Sequence, residues 1–348
     1  MRKLAVIFLA VLLAVSVVPF AAGAAEKPIE WVVQGCFPTS LPIGMFLPMW
    51  AEKVEAMSGG RMKIQVHSVG EIVPGPAVFE SVRDGVLDAG QNTPAWQKGQ
   101  YPAGDLFYTL PGGVTETNDL LVWMYGGGGQ ELMQEMYGDI IKVFPLGLTP
   151  PETGIWSTKP VRTLADFKGL KIRSAGLCME LLEQLGASVV LLAGGEVVPS
   201  LQRGVIDAAE FAIPSMDKGL GLNEVCKYVI GPPIHMGSNM FQLMINKDKW
   251  AALPDDLKAI AEEAAMAVTI EGYTKDWVES LVAFDEFKEQ GIEFIKLSPE
   301  DQAKAFDMTV AILEKNAATD AMFKKVWESQ KAFIESNQDF FNFTKFDR

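Results

Sequence analysis

The sequence predicts a two-lobed α/β protein, with parallel or mixed sheets, crossover helices, and one long helix bridging the halves. Three observations lead there. Strand-like and helix-like segments alternate from Trp31 onward, and a strand, helix, strand order implies parallel pairing through crossovers. One element recurs, because Val82 to Ala89 reappears as Leu201 to Ala208, each a helix end, a glycine and an aspartate ahead of a short strand. Finally, Asp255 to about Gln290 holds no proline and a single glycine, Gly272. At 1.5 Å per residue such a helix is about 50 Å long, enough to brace both lobes.

The chain begins with Arg2 and Lys3, a charge-free apolar run from Leu4 to Val18, then Pro19 and small residues. This is the pattern of a secretory leader, with cleavage expected after Ala24, and it predicts export to the periplasm. A lipoprotein needs a cysteine at the cleavage point, and the first one, Cys36, lies too far on. No later segment has the roughly 18 charge-free apolar residues that span a bilayer. Removing the leader still leaves a chain long enough for two compact lobes with a core of their own.

The net charge is −14, from 44 acidic and 30 basic residues, and the leader takes two of the cations with it. So acidic a surface argues against nucleic acid or an anionic membrane as partner. It permits an anionic small molecule wherever one local cation dominates a pocket. The odd count of cysteines, Cys36, Cys178 and Cys226, favours buried or free thiols over a disulfide framework.

Along the chain, Trp31 to Val33 reads as a buried strand. Phe46, Trp50, Val54 and Met57 form one helical stripe ended by Gly59-Gly60. Met62, Ile64 and Val66 alternate with polar residues as a half-buried strand does. A helix is expected from Pro76 to Val86, with a strand starting at Asp88-Ala89-Gly90. In both copies of the repeat, the glycine (Gly85, Gly204) suits a left-handed helix C-cap, and the apolar pair after it is expected to enter the sheet. Lys63-Ile64 and Lys171-Ile172 look like equivalent upstream strands. Gly126 to Gly129 lacks any phosphate-loop pattern and reads as a turn between helices. Ser298-Pro299-Glu300-Asp301 has the N-cap, N1 proline and acidic first turn of a helix running to about Lys315, and a last amphipathic helix covers 321–341. The expected division is a leader at 1–24, lobe I at 25–150 plus about 239–275, lobe II at 151–238 plus about 276–300, and helices at 301–348 packing across the lobes.

Enzyme signatures are scarce. His67 and His235 are the only histidines, neither stands at a metal-ligand spacing, and no nucleophile elbow, zinc motif or P-loop is present. Arg173 is different, because it ends the strand Leu170 to Ile172 just before Ser174-Ala175-Gly176, small residues that let a ligand approach. In open α/β sheets ligands gather at the carboxyl ends of strands, and a guanidinium there clamps a carboxylate. Glu210 and Phe211 hold the matching place after the second repeated strand. Glu210 with Glu152 could supply hard oxygen ligands to a cation, and Trp96, after the first repeated strand, could wall the cleft from the other side.

These residues carry a resemblance to the solute-binding proteins of TRAP (tripartite ATP-independent periplasmic) transporters. It runs through Gly169-Leu170-Lys171-Ile172-Arg173, the stretch Gly194-Gly195-Glu196 to Asp207-Ala208, and Leu243-Met244-Ile245-Asn246, over essentially the whole mature chain. The Gly-Gly-Glu and Asp-Ala-x-Glu forms are similar to the branch for 2-oxo and 2-hydroxy acids. The resemblance implies the two-lobed periplasmic binding protein fold with hinge strands between the lobes, capture of an organic acid by closure with Arg173 on its carboxylate, no required cofactor, and delivery to membrane permease subunits. In members that hold the acid with sodium or calcium, Glu210, the Phe211 carbonyl and Glu152 would match the ligands. Two residues depart from the pattern. Met236 stands where a second carboxylate is expected, a soft thioether that a hard cation avoids, and Phe211 replaces a tryptophan. Together they imply a roomier, more apolar pocket for an acid with an apolar or aromatic side group. The second reading is a binding protein for an ATP-driven (ABC) transporter or a sensor kinase, and an exported enzyme comes third.

Overall fold

The computed structural model describes residues 27–344. The expected leader and its cleavage point at Ala24 lie outside the described residues. Eleven strands are described: β1 (Ile29–Gly35), β2 (Met62–His67), β3 (Ala89–Asn92), β4 (Ile141–Leu148), β5 (Ile155–Ser157), β6 (Lys171–Arg173), β7 (Ser188–Val190), β8 (Ala208–Ala209), β9 (Tyr228–Gly231), β10 (Met240–Asn246) and β11 (Glu293–Lys296). They form two sheets, in the orders β2-β1-β3-β10-β4 and β11-β9-β5-β8-β6-β7.

Both sheets are mixed, and for one reason. Parallel pairs join β1 to β2 and β3, β6 to β7 and β8, and β9 to β11. The antiparallel strands are those that have just crossed from the other sheet: β5 follows β4 and inserts between β8 and β9, while β10 follows β9 and inserts between β3 and β4. The lobes therefore exchange one strand each, and β2-β1-β3-β10-β4 matches β7-β6-β8-β5-β9 position by position.

The short sequence repeat sits inside this larger one. Gly85 and Gly204 take φ of +78° and +68°, the left-handed caps expected. The apolar pairs behind them do not enter the sheet, however, since Val86 and Val205 are exposed and only Leu87 and Ile206 are buried. The aspartates explain the shift. Asp88 N–H donates to Val32 O (2.9 Å), and Val32 N–H returns a bond to Asp88 Oδ2 (2.7 Å). Asp207 and Lys171 repeat this at 2.7 and 3.2 Å. Each aspartate so clasps a central strand and starts the next one a residue later. Lys171 on β6 is thus the counterpart of Val32 on β1, whereas Lys63 lies on the edge strand β2, so the Lys-Ile echo does not mark equivalent strands.

Two helices differ from expectation, one in extent and one in burial. The Pro76 to Val86 segment yields a 3-10 turn, Gly75–Ala77, and a helix of only Val78–Arg83. In Phe46–Met57, Phe46, Trp50 and Val54 are buried but Met57 at the last position is exposed.

The long helix runs from Asp255 to Glu289. Its first half lies on the first sheet, where Ala261 O accepts from Trp50 Nε1 (2.9 Å) and Thr269 Oγ1 accepts from Gly147 N (2.9 Å). Its last half lies on the second lobe, where Phe287 packs edge-on to Trp156 at 4.9 Å and Ser280 meets Ser215 at 3.4 Å. The helix Pro299–Ala317, capped by Ser298 Oγ accepting from Asp301 N (3.1 Å), shares a core with Leu181 and Leu182 of the second lobe. Ala321–Thr344 buries Phe323, Val326 and Trp327 in the first lobe. Cys36, Cys178 and Cys226 are all buried free thiols.

Candidate functional site

Two extended crossings join the sheets, residues 149–154 between β4 and β5 and residues 232–239 between β9 and β10. They run side by side: Thr149 N donates to Asn239 O (3.0 Å), Glu152 N to Gly237 O (2.8 Å), and Asn239 N to Thr149 Oγ1 (2.9 Å). Glu152 sits on this hinge, almost wholly buried. Its Oε1 accepts from Asn239 Nδ2 (2.7 Å), and its Oε2 lies 2.8 Å from His235 Nε2.

Arg173 reaches the same place from the end of β6. Its side chain is only 11% exposed, so it is turned inward. Nη1 donates to Glu210 O (2.8 Å) and Glu210 Oε2 (3.1 Å), and Nε donates to Leu192 O (3.3 Å). The guanidinium carbon stands 5.5 Å from the centre of the Phe211 ring. Glu210 Oε1 accepts from Ala175 N (2.8 Å). Among the described residues Nη2 makes no hydrogen bond, which leaves one edge of the fork for a ligand.

Ligand atoms of Glu152, Glu210 and His235 lie within 4.8 Å of one another, and all three residues are buried. Burial pushes the Glu152 carboxyl up and the charge of Glu210 adds to this, against the lowering effect of His235 and Asn239. Among the described residues Arg173 is the permanent cation paired with Glu210, and no lysine or arginine pairs with Glu152. A cation would balance the excess, and the oxygens of Glu152 and Glu210 are the type that sodium or calcium takes. The imidazole of His235 adds a nitrogen donor that widens the choice toward borderline metals. The donor set therefore fits a bound cation.

The turn that carries Glu210 and Phe211 is tied to the hinge by Asp217. Its carboxylate accepts from Thr153 Oγ1 (2.5 Å), Trp156 Nε1 (2.7 Å) and Ala212 N (3.1 Å), one partner each from a crossing, β5 and the turn itself.

The fold thus brings together Arg173, Glu210, Phe211 and Glu152. Met236 is buried next to them, with Cε about 3.5 Å from where a Cβ on Gly176 would be, but it is not in the carboxylate cluster. Its neighbour His235 takes that place. Sequence spacing set His235 aside because its partner Glu152 is 83 residues upstream. The available signal was its position in the very segment where the resemblance calls for a ligand. Trp96 packs on Phe37 (5.4 Å) and stays 44% exposed, joined to the cluster by no ring contact or hydrogen bond among the described residues.

The family model described as "Bacterial extracellular solute-binding protein, family 7" matches residues 36–320. The chain belongs to this family. A monocarboxylate 2-oxoacid-binding periplasmic protein of Nostoc sp. is 30% identical over 306 residues, covering 88% of this chain and 84% of the relative. A TRAP periplasmic solute-binding protein from Pseudoalteromonas atlantica, solved with sodium and pyruvate, is 28% identical with a TM-score of 0.84 over 91% of this chain and 97% of that one. Another from Colwellia psychrerythraea, with calcium and pyruvate, matches at 28% and 0.84, covering 91% and 98%. This family-7 protein is thus a two-lobed solute-binding component of TRAP transport, from a family of transporter proteins and not of enzymes. Among the described residues no helix is long and apolar enough to cross a membrane.

Proposed function

We propose that this protein captures a small organic monocarboxylate, a 2-oxo or 2-hydroxy acid, at Arg173, Glu210, Phe211 and Glu152 with His235, and hands it to the TRAP permease subunits. The observation that carries the reading is the inward guanidinium with an open edge, beside two buried carboxylates, Glu152 on the hinge and Glu210 on the second lobe. The carboxylate of the acid pairs with Arg173, and in a water-poor crevice such charge-assisted bonds are stronger than at a surface. Because Glu152 and His235 belong to the crossings while Arg173 and Glu210 belong to one lobe, a ligand touching both groups favours the closed arrangement and shifts the population toward it. Met236 and Phe211 give the pocket its apolar side.

A sodium or calcium ion held by Glu152, Glu210 and the Phe211 carbonyl belongs to this reading, and when bound it supplies positive charge to the acid's oxygens. So does export with cleavage near Ala24. The lobe division 25–150 with 239–275 against 151–238 with 276–300, under helices 301–348, is supported by the sheet membership. No chemical step is assigned, and the acid leaves unchanged.

A thermal-shift screen of mono- and dicarboxylates, aliphatic and aromatic, with and without sodium, calcium and a chelator, tests the proposal. A ligand at a hundred times its Kd stabilises the folded state by about 2.7 kcal/mol, so 2-oxo or 2-hydroxy monocarboxylates should raise the melting temperature by several degrees. Indifference to every acid overturns the reading. Shifts unchanged by chelation in sodium-free buffer remove the ion and leave Arg173 in place.

A further inference from the structure

Asp105 lies outside the cluster of Arg173, Glu210, Glu152 and His235. It lies in the turn Pro102–Leu106 of the first lobe, 5% exposed, and its Oδ1 is buried without a hydrogen-bond partner. Across from it is the Gly176 turn of the second lobe, three residues beyond Arg173. A Cβ on Gly176 would stand 3.6 Å from Asp105 Oδ1 and 3.5 Å from Met236 Cε. Lys98 Nζ donates to Gly176 O (3.3 Å), a direct bond between the lobes at this point. The residue before Gly176, Ala175, is the one whose N–H holds Glu210. The Tyr108 hydroxyl is raised by burial and by the charges of both Asp105 and Glu152, and the Cys178 thiol by burial and by Glu210, Asp105 and Glu152, so the three carboxyls share neighbours.

A buried carboxylate oxygen without a donor is unfavourable unless something brings one. From the reading above, which this inference rests on, the incoming group next to Arg173's partner carboxylate is the substituent on the acid's second carbon. We infer that Asp105 reads this substituent, accepting a hydrogen bond from a 2-hydroxyl, and so sets the chain's preference for 2-hydroxy over 2-oxo acids. A hydroxyl donates to a carboxylate. A keto oxygen carries only lone pairs, so it meets Asp105 as acceptor against acceptor in a site that excludes water.

Calorimetry at pH 8.5 with two matched pairs, lactate against pyruvate and phenyllactate against phenylpyruvate, tests this, since each pair differs only at the second carbon. The wild-type protein should bind the hydroxy acid of a pair at least about tenfold more tightly, a modest share of what a lost hydrogen-bond partner costs in such sites. Asp105→Asn offers an amide N–H to either ligand and should bring the ratio close to one, chiefly by strengthening binding of the oxo acid. Equal or tighter binding of the oxo acid by wild type overturns the inference, as does an unchanged ratio in a folded Asp105→Asn. If Asp105→Asn does not fold, the wild-type ratio decides alone. Folded wild type that binds no acid brings down the acid-binding reading together with this inference, whereas acids bound without preference bring down this inference only.

Discussion

Glu210 keeps both carboxylate oxygens within its own lobe, on Arg173 and Ala175, while Glu152 faces the hinge through His235 and Asn239. The two acids are therefore held by separate parts of the molecule and meet only where these parts meet. Burial of two other carboxyls sets how stability follows pH. Burial pushes the carboxyls of Asp105 and Asp276 up to about 7 each. Asp276, on the long helix, lines a cavity of about 190 Å³ with Met45 and Met49, and its Oδ2 has no partner. An acid whose folded value lies above its unfolded one binds more protons when folded, so its stabilising effect is greatest in acid and is lost as pH rises through the folded value. The melting temperature of the ligand-free protein should fall between pH 6 and pH 8, with each such carboxyl accounting for about 1 kcal/mol. Asp276→Asn should flatten its share of this slope. A variant slope equal to that of wild type contradicts the assignment. Arg173, Glu210 and Glu152 were legible in the sequence because they stand at strand ends or where a family pattern expects an acid. His235 was not, because the strand exchange that joins residues 152 and 235 leaves no local spacing. Asp105 has no sequence signal at all, since its character comes from burial alone.

At the scale of elements, Gly272 was the one glycine in an otherwise uninterrupted helical stretch, and sequence alone gave no reason for it. In the structure a Cβ there would lie 2.4 Å from Cε1 of Phe46, the residue that opens the first helix on the first sheet. The glycine lets the long helix seat on a buried ring, and intrinsic helix propensity is sacrificed to that contact. Gly272→Ala should accordingly destabilise the protein by about 1–3 kcal/mol as overpacking does, although alanine is the better helix former. Thermal or urea unfolding checks this, and a variant as stable as wild type or more so refutes it. The long helix, the cap at Ser298 and the repeated glycine turns were readable because their signals are local. The repeat itself was readable only in part. Its aspartates fix strand entry by bonding Val32 and Lys171, residues far off in sequence, so the apolar pairs after Gly85 and Gly204 looked like strand when they are turn.

At the scale of the whole molecule, two sheets that exchange one strand each cannot move independently of the crossings, and the long helix with its halves on different lobes limits that motion further. Arg173, Glu210, Glu152 and His235 collect at the hinge and the edges that face it. A chain of net charge −14 repels anions at long range, so in the proposed function capture of one depends on a single guanidinium at close quarters. Titration calorimetry of the preferred acid against folded Arg173→Ala measures that dependence directly. The expected affinity loss is roughly 3–5 kcal/mol, the cost of leaving a desolvated carboxylate unpaired, or two to three orders of magnitude and more in Kd. Wild-type affinity retained by the variant contradicts it.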